Sequence, residues 1–234
     1  MEQQNRNQLA DTAKSEAVKV RRHPAIELVW QRAYGEAADF MQRYVATALL
    51  FNSRADLHKF AMRDLAAVGL ILEFGVSQGA SINGFADILR QRTDQRPVYG
   101  FDAFSGLSED WVGHIYPKLE RFDLKGNLPT VRDNVVLVQG WVDETLPDFL
   151  AAHPDPIAFL HIDTDTYGPA RTILDLCRSR LREGSVVLFD ELIGYPGWRV
   201  GEYKALMETL PQDSYEYLGF AGYEVMIRMK RSIG

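Results

Sequence analysis

From Leu70 onward the chain alternates short apolar runs with longer stretches of helical periodicity. The runs fall at Leu70–Glu73, Val98–Phe101, Val135–Val138, Ala158–Ile162 and Ser185–Phe189, and they are continuously apolar rather than alternating. Such strands belong to sheets covered on both faces, as parallel sheets are. Between them, apolar residues at helical spacing predict helices over Ser81–Gln91, Glu144–Ala152, Gly168–Arg182 and Val200–Leu210. The tail breaks this rhythm. TLPQDSYEYLGFAGYEVMIRMKR holds two β-like runs joined by Gly219–Gly222, which predicts an antiparallel hairpin. The expected fold is α/β, a doubly wound, mostly parallel seven-stranded sheet with a C-terminal antiparallel hairpin and an N-terminal helical cap.

The cap is read from the first third of the chain. Apolar residues at helical spacing run from Pro24 to about Phe51, with Trp30, Tyr34, Phe40, Met41 and Tyr44 prominent, and RADLHKFAMRDLAAV predicts a second helix. These are either packing helices or a cover over a site, and their apolar surface suggests a homo-oligomer. Residues 1–22 are polar and are expected to form an arm. No repeat, low-complexity tract or linker divides the rest, so the expected organisation is an arm and cap over 1–65 and a ligand-binding domain over 66–234.

Composition narrows the partners. With 46% hydrophobic and 25% charged residues the chain reads as a globular protein, and its net charge of −6 argues against nucleic acid. No run approaches the roughly 18–20 apolar residues of a membrane span, and the N-terminus lacks the apolar core of a signal peptide. A cytoplasmic protein with no membrane partner is expected. The single cysteine, Cys177, lies in a helical pattern and reads as a packed thiol, and one cysteine permits neither an intrachain disulfide nor a cysteine-rich metal site.

The candidate chemistry stands where the apolar runs end. Glu73, Asp102, Asp163 and the pair Asp190-Glu191 each close such a run. In open parallel sheets, ligands bind beyond the carboxyl ends of the strands, where the strand order reverses. After Glu73 comes Phe74-Gly75-Val76-Ser77-Gln78-Gly79-Ala80-Ser81, a glycine turn in which Gly75 and Gly79 let a ligand approach the main chain and Ser81 is placed to cap the next helix. The spacing is G-x-x-x-G rather than G-x-G-x-x-G, which gives less reason to expect a pyrophosphate. Asp102, one strand later, is placed to accept the hydroxyls of a ribose, or to brace a turn. Gly140 leaves room for a flat ring on which Trp141 would stack, unless that tryptophan only packs on the core. His161-Ile162-Asp163-Thr164-Asp165-Thr166-Tyr167 is the densest polar cluster, and with Asp190-Glu191 it offers the hard oxygen ligands that suit Mg²⁺. His161, inside the strand pattern, reads as a core histidine. Tyr195-Pro196-Gly197-Trp198-Arg199 reads as a lid or a structural turn, and the long Trp111–Leu128 connection as a lining for an acceptor pocket.

Four of these segments together resemble the macrocin O-methyltransferase family: E-F-G-V-x-x-G-x-S, F-D-A-F-S-G-L, H-I-D-T-D-x-Y and D-E-x-x-G-Y-P-G-W-x-x-G-E-x-x-A-L, in that order from Leu70 to Leu210. The resemblance implies a class I enzyme using S-adenosylmethionine, metal-assisted, that methylates a hydroxyl of a small molecule such as a sugar of a natural product. By position it makes Glu73, Gly75, Ser81, Asp102 and Trp141 cofactor contacts, Asp163 a metal ligand and candidate base, and Asp190 and Glu191 the other ligands. The family carries two aspartates where this chain has Asp190-Glu191, and glutamate reaches a methylene further. The alternatives are a metal-independent methyltransferase or a nucleotide-binding oxidoreductase on the same fold.

Overall fold

In the computed structural model, which describes residues 23–114 and 122–233, the alternation of runs and helices folds into one twisted sheet with helices on both faces. The expected N-terminal arm lies outside the described residues. In chain order the elements are α1 (Pro24–Gln42), β1 (Leu49–Leu50), α2 (Arg54–Ala61), β2 (Leu70–Phe74), α3 (Ala80–Gln91), β3 (Val98–Asp102), β4 (Val135–Gln139), α4 (Val142–Ala152), β5 (Ile157–Ile162), α5 (Tyr167–Cys177), β6 (Leu181–Phe189), α6 (Glu202–Thr209), β7 (Tyr215–Ala221) and β8 (Glu224–Met229). The strands lie in the order β1-β7-β8-β6-β5-β2-β3-β4, and β8 runs antiparallel to both its neighbours.

Every residue of β2 and of β5 is buried, which explains their unbroken apolar runs. Alternation along β2 divides the core. Leu72 and Phe74 pack with Phe40, Phe149, Ile173 and Leu206 from α1, α4, α5 and α6, while Ile71 packs with Leu57, Ile82 and Phe85 from α2 and α3. The side chain of Glu73 therefore belongs to the α2–α3 face. No helix of the described residues is long and apolar enough to cross a membrane.

The sheet has eight strands, not seven. The additional strand, β1, hides inside a pattern that reads as helix through Phe51; α1 stops at Gln42, and Leu49–Leu50 pair in parallel with Gly219–Phe220. Gly219, expected in the hairpin loop, is thus a strand residue. A Cβ there would come within 2.7 Å of Leu57 Cδ1, so glycine is what lets β7 lie so close under α2. The hairpin turns instead on Gly222 and Tyr223, with Gly222 at φ 65°, the geometry of a two-residue hairpin loop. Helix α5 ends at Cys177 rather than Arg182, followed by a short 3₁₀ turn, Arg178–Arg180, and β6 begins at Leu181.

Candidate functional site

The crevice follows from the strand order. From β2 the chain moves outward through β3 to β4 and then returns to β5 on the other side of β2, so the loops after β2 and β5 leave the sheet edge diverging. Main-chain bonds stitch the edges of this opening. The Gly75 N–H donates to Phe101 O at 2.9 Å, Asp163 N–H to Phe74 O at 2.8 Å, and Asp190 N–H to Ile162 O at 2.9 Å. Gly75, at φ 88°, lies so close to β5 that a Cβ would stand 1.7 Å from the Asp163 carbonyl oxygen. Only glycine fits there.

Asp102 clasps the same turn. Its Oδ2 accepts from the N–H groups of Val76 at 2.8 Å and Ser77 at 2.7 Å, and its Oδ1 accepts from Phe104 N–H at 2.6 Å. Three of a carboxylate's roughly four acceptor positions are thus used, leaving one toward the crevice. Next to it, Gly140 N–H donates to Asp102 O at 3.0 Å, and Gly140 at φ 140° delivers Trp141 to the start of α4. Gly75, Asp102, Gly140, Trp141 and Asp163 all line a cavity of about 590 Å³, with Phe74, Leu107 and Phe122 among its apolar walls. Phe122 comes from the long Trp111–Leu128 connection; the rest of that expectation falls partly on residues 115–121, outside the described residues.

Glu73, Gly79 and Ser81 stand beneath the turn rather than in the cavity wall. Gly79, at φ 83°, occupies the cap position of α3 that the sequence suggests for Ser81, because only the glycine takes the left-handed backbone angle the turn needs. The Ser81 hydroxyl instead donates to Glu73 Oε1 at 2.9 Å, and Glu73 Oε2 lies 3.3 Å from His161 Nδ1. Glu73, Gly79 and Ser81 hold up the floor of the crevice.

The carboxylates at the ends of β5 and β6 gather as two overlapping groups. Ligand atoms of Asp163, Asp165 and Glu191 lie within 4.8 Å of one another, and so do those of His161, Asp163 and Asp190. Asp163 belongs to both. Glu202, the first residue of α6, is completely buried beside them and accepts the Thr164 N–H at 3.2 Å. Burial, reinforced by Asp190 and Asp165, pushes the Asp163 carboxyl well above the usual carboxylate range. Burial and the neighbouring Asp190 do the same to Glu191 and Glu202. At His161 burial opposes the charged ring, but the carboxylates of Asp190 and Glu73 beside it outweigh that and raise the imidazole well above its ordinary value. Asp190 alone moves down: burial works against its charge, and His161, Glu191 and Arg54 together overcome that. The Oε2 atoms of Glu191 and Glu202 are buried and find no hydrogen-bond partner among the described residues.

Several members of this centre are not visible from the sequence. His161 reads as a core histidine and is indeed fully buried, yet it bridges Glu73 and Asp190 rather than only filling space. Glu202 appears in the sequence only as the glutamate of the D-E-x-x-G-Y-P-G-W-x-x-G-E segment, with no role assigned, and nearby Arg199 pairs instead with Glu36 at 3.1 Å. Arg54 reaches Asp190 from α2 and also pairs with Glu224 of β8, and no local spacing announces either contact. The two aromatic residues of the Tyr195–Arg199 loop pack inward. Tyr195 and Trp198 are 2% and 1% exposed, with the Trp198 ring 5.9 Å from Phe40 and 4.7 Å from Tyr203.

The same fold recurs in solved proteins. The calicheamicin methyltransferase CalS11 is 26% identical, with a TM-score of 0.60, over 89% of this chain and 94% of that one. A second CalS11 structure, described as the apo form of a TDP-rhamnose 3'-O-methyltransferase, is 25% identical with a TM-score of 0.57, over 89% and 96% of the two chains. The O-methyltransferase NovP, 21% identical over 76% of this chain and 80% of its own with a TM-score of 0.56, shares the fold. No curated protein matches the sequence. The model of one protein family, described as a methyltransferase domain, matches residues 72–192, from the middle of β2 through the acidic pair after β6. That match spans the glycine turn, the Asp102 clasp, Trp141 and Asp163, and with it the chain belongs to the methyltransferase domain family.

Proposed function

We propose that the protein is an S-adenosylmethionine-dependent O-methyltransferase of the macrocin type, acting on a hydroxyl of a sugar or polyol-like natural product with the help of a divalent ion such as Mg²⁺. The observation that carries this reading is the placement of Asp163: it lines the crevice beside Gly75 and Asp102 and is also shared by both carboxylate groups. Cofactor pocket and acidic centre meet at Asp163, with Asp165 beside it in both. The likeness to CalS11, whose structure is described as a TDP-rhamnose 3'-O-methyltransferase, supports a sugar hydroxyl as acceptor.

The cofactor supplies an electrophilic methyl group on a sulfonium. Gly75 opens the main chain toward its amino-acid end, while Glu73, Gly79 and Ser81 brace that turn from below. The remaining acceptor position of Asp102 takes a ribose hydroxyl, and Gly140 and Trp141 receive the adenine ring. A divalent ion, held by Asp163, Asp190 and Glu191 with Asp165 in reach, would lower the pKa of the acceptor hydroxyl. The residues fit such an ion, since they are hard oxygen donors, crowded below the surface, with orphaned carboxylate oxygens on Glu191 and Glu202. Asp163 is poised as general base: a carboxyl pushed upward by burial and by Asp190 holds a proton more readily near neutral pH than an ordinary aspartate does. Positioning of the hydroxyl in line with the sulfonium carbon supplies much of the rate. The helices within residues 23–65 act as the cap, with α2 reaching over the ends of β6 and β8. Exposed Ile26, Leu28 and Val29 on α1 support a homo-oligomer, which light scattering would test.

Calorimetric titration with S-adenosylmethionine and S-adenosylhomocysteine tests the reading. Micromolar binding of both, followed by methyl transfer to a panel of sugar-nucleotide hydroxyls that chelator abolishes, is the expected result. Failure to bind either cofactor form would overturn it.

A further inference from the structure

Helix α2 brings two basic side chains, Arg54 and His58, to the edge of the acidic centre. Arg54, in the first turn, ion-pairs with Asp190 through Nη2 and with Glu224 through Nε. One turn later, His58 Nε2 lies 2.9 Å from the other oxygen of Glu224. The Asp190 and Glu224 side chains are 7% and 2% exposed, whereas that of Arg54 is 55% exposed. The guanidinium therefore reaches inward from the surface to buried carboxylates. Partial burial works against its charge, but Asp190, Glu224, Asp163 and Glu191 together outweigh that cost. Those last two, with Asp190, are the acids placed to hold a divalent ion.

Buried carboxylates are tolerated only when a positive charge or a proton accompanies them. Here Arg54 supplies the positive charge that accompanies Asp190, and His161 Nε2 lies 3.8 Å from Asp190 Oδ1. A divalent ion bound by Asp163, Asp190 and Glu191 would bring two more positive charges next to the guanidinium. Like charges at such separations repel strongly in a partly buried setting. Of the two basic side chains that face Asp190 among the described residues, only Arg54 has solvent to retreat into, since His161 is fully enclosed. Glu224 would not be left bare by that retreat, because His58 stays on it.

We propose that Arg54 is the resting counter-cation of this carboxylate centre, and that a divalent ion binds by displacing its guanidinium from Asp190 into solvent. The inference rests on the reading of these carboxylates as an ion site. It makes Arg54 a residue that sets ion affinity, and makes ion binding loosen the hold of α2 on the end of β6.

The test is Mn²⁺ titration of the full chain, without methyl donor or acceptor, followed by the electron paramagnetic resonance signal of free aqueous Mn²⁺. Removing one like charge from beside a divalent ion is worth about tenfold or more in affinity. Arg54→Gln is therefore expected to tighten Mn²⁺ binding at least about tenfold, and Arg54→Lys, which keeps the charge, to leave it within about threefold of the wild type. Arg54→Met, which keeps the packed stem, is the second neutral variant should the glutamine protein fold poorly. Wild-type binding with unchanged or weaker binding in both neutral variants would overturn the displacement while leaving the ion site standing. Absence of Mn²⁺ binding in the wild type and all variants would overturn the ion site, and the proposal with it.

Discussion

Asp102→Asn replaces a single oxygen by nitrogen, yet the geometry around Asp102 makes it a severe change. The native carboxylate accepts three main-chain N–H groups, from Val76, Ser77 and Phe104. An asparagine has one acceptor oxygen and one NH₂ donor. Its best orientation keeps the oxygen toward Val76 and Ser77 and turns the NH₂ toward Phe104, donor against donor. One part-buried N–H then loses its partner, at about 1–3 kcal/mol, and two bonds lose their charge assistance, at about 0.5 kcal/mol each. The expected loss is about 2–4 kcal/mol, which for a chain of this size lowers the unfolding midpoint by about 4–16 °C. Because the clasp shapes the turn that carries Gly75, affinity for S-adenosylmethionine should fall as well. Differential scanning calorimetry and cofactor titration of the purified variant measure both. A midpoint within 1–2 °C of wild type, roughly 0.5 kcal/mol, together with intact cofactor affinity, would refute the view that Asp102 braces the turn.

Gly75→Ala combines a left-handed backbone angle with a Cβ placed on the Asp163 carbonyl, so it should cost at least about 2–3 kcal/mol and abolish measurable cofactor binding. An alanine variant that binds cofactor like wild type would show that the β2 and β5 loops are not in contact there. For pH, Asp163, Glu191, Glu202 and His161 all hold protons more tightly than their ordinary values of 3.8, 4.5, 4.5 and 6.5. Each therefore contributes stability that is present below its unfolded-state value and is lost as pH rises through its folded-state value. Asp190, shifted the other way, contributes stability that is fully present above its unfolded-state value of 3.8 and is lost only in more acid solution, so it stays constant over the neutral range. The chelator-treated protein should accordingly lose thermal stability steadily from about pH 5 to pH 8, and a midpoint that rises over that range would contradict the charge arrangement. Burial pushes the Cys177 thiol up to about 12, so iodoacetamide at pH 8 should leave it unmodified in the native protein and alkylate it after unfolding.

Much of the framework was legible in the residues because it depends on local periodicity. Continuous apolar runs mark strands covered on both faces, and five of them, with the tail, placed seven of the eight strands. Leu49–Leu50 escaped because two exposed leucines carry no burial signal of their own; they become a strand only through pairing with Gly219 and Phe220 far along the chain. Strand-end acids were equally legible, since the chain itself orders them: Gly75, Asp102, Gly140, Trp141 and Asp163 do come together around one cavity.

What the sequence by itself determined, then, was the α/β rhythm, the glycine turn and the row of carboxylates at strand ends. Only the tertiary structure decided how those carboxylates are shared and neutralised. The register of β2 against β5 sets Glu73 opposite His161, and the approach of α2 to β6 and β8 sets Arg54 on Asp190 and Glu224. Such partners lie up to 170 residues apart in number (224 − 54), and the electrostatic field of a buried charge depends on distance in space, not on separation along the chain. Periodicity therefore shows where a carboxylate ends a strand, and packing alone determines which proton or cation accompanies it.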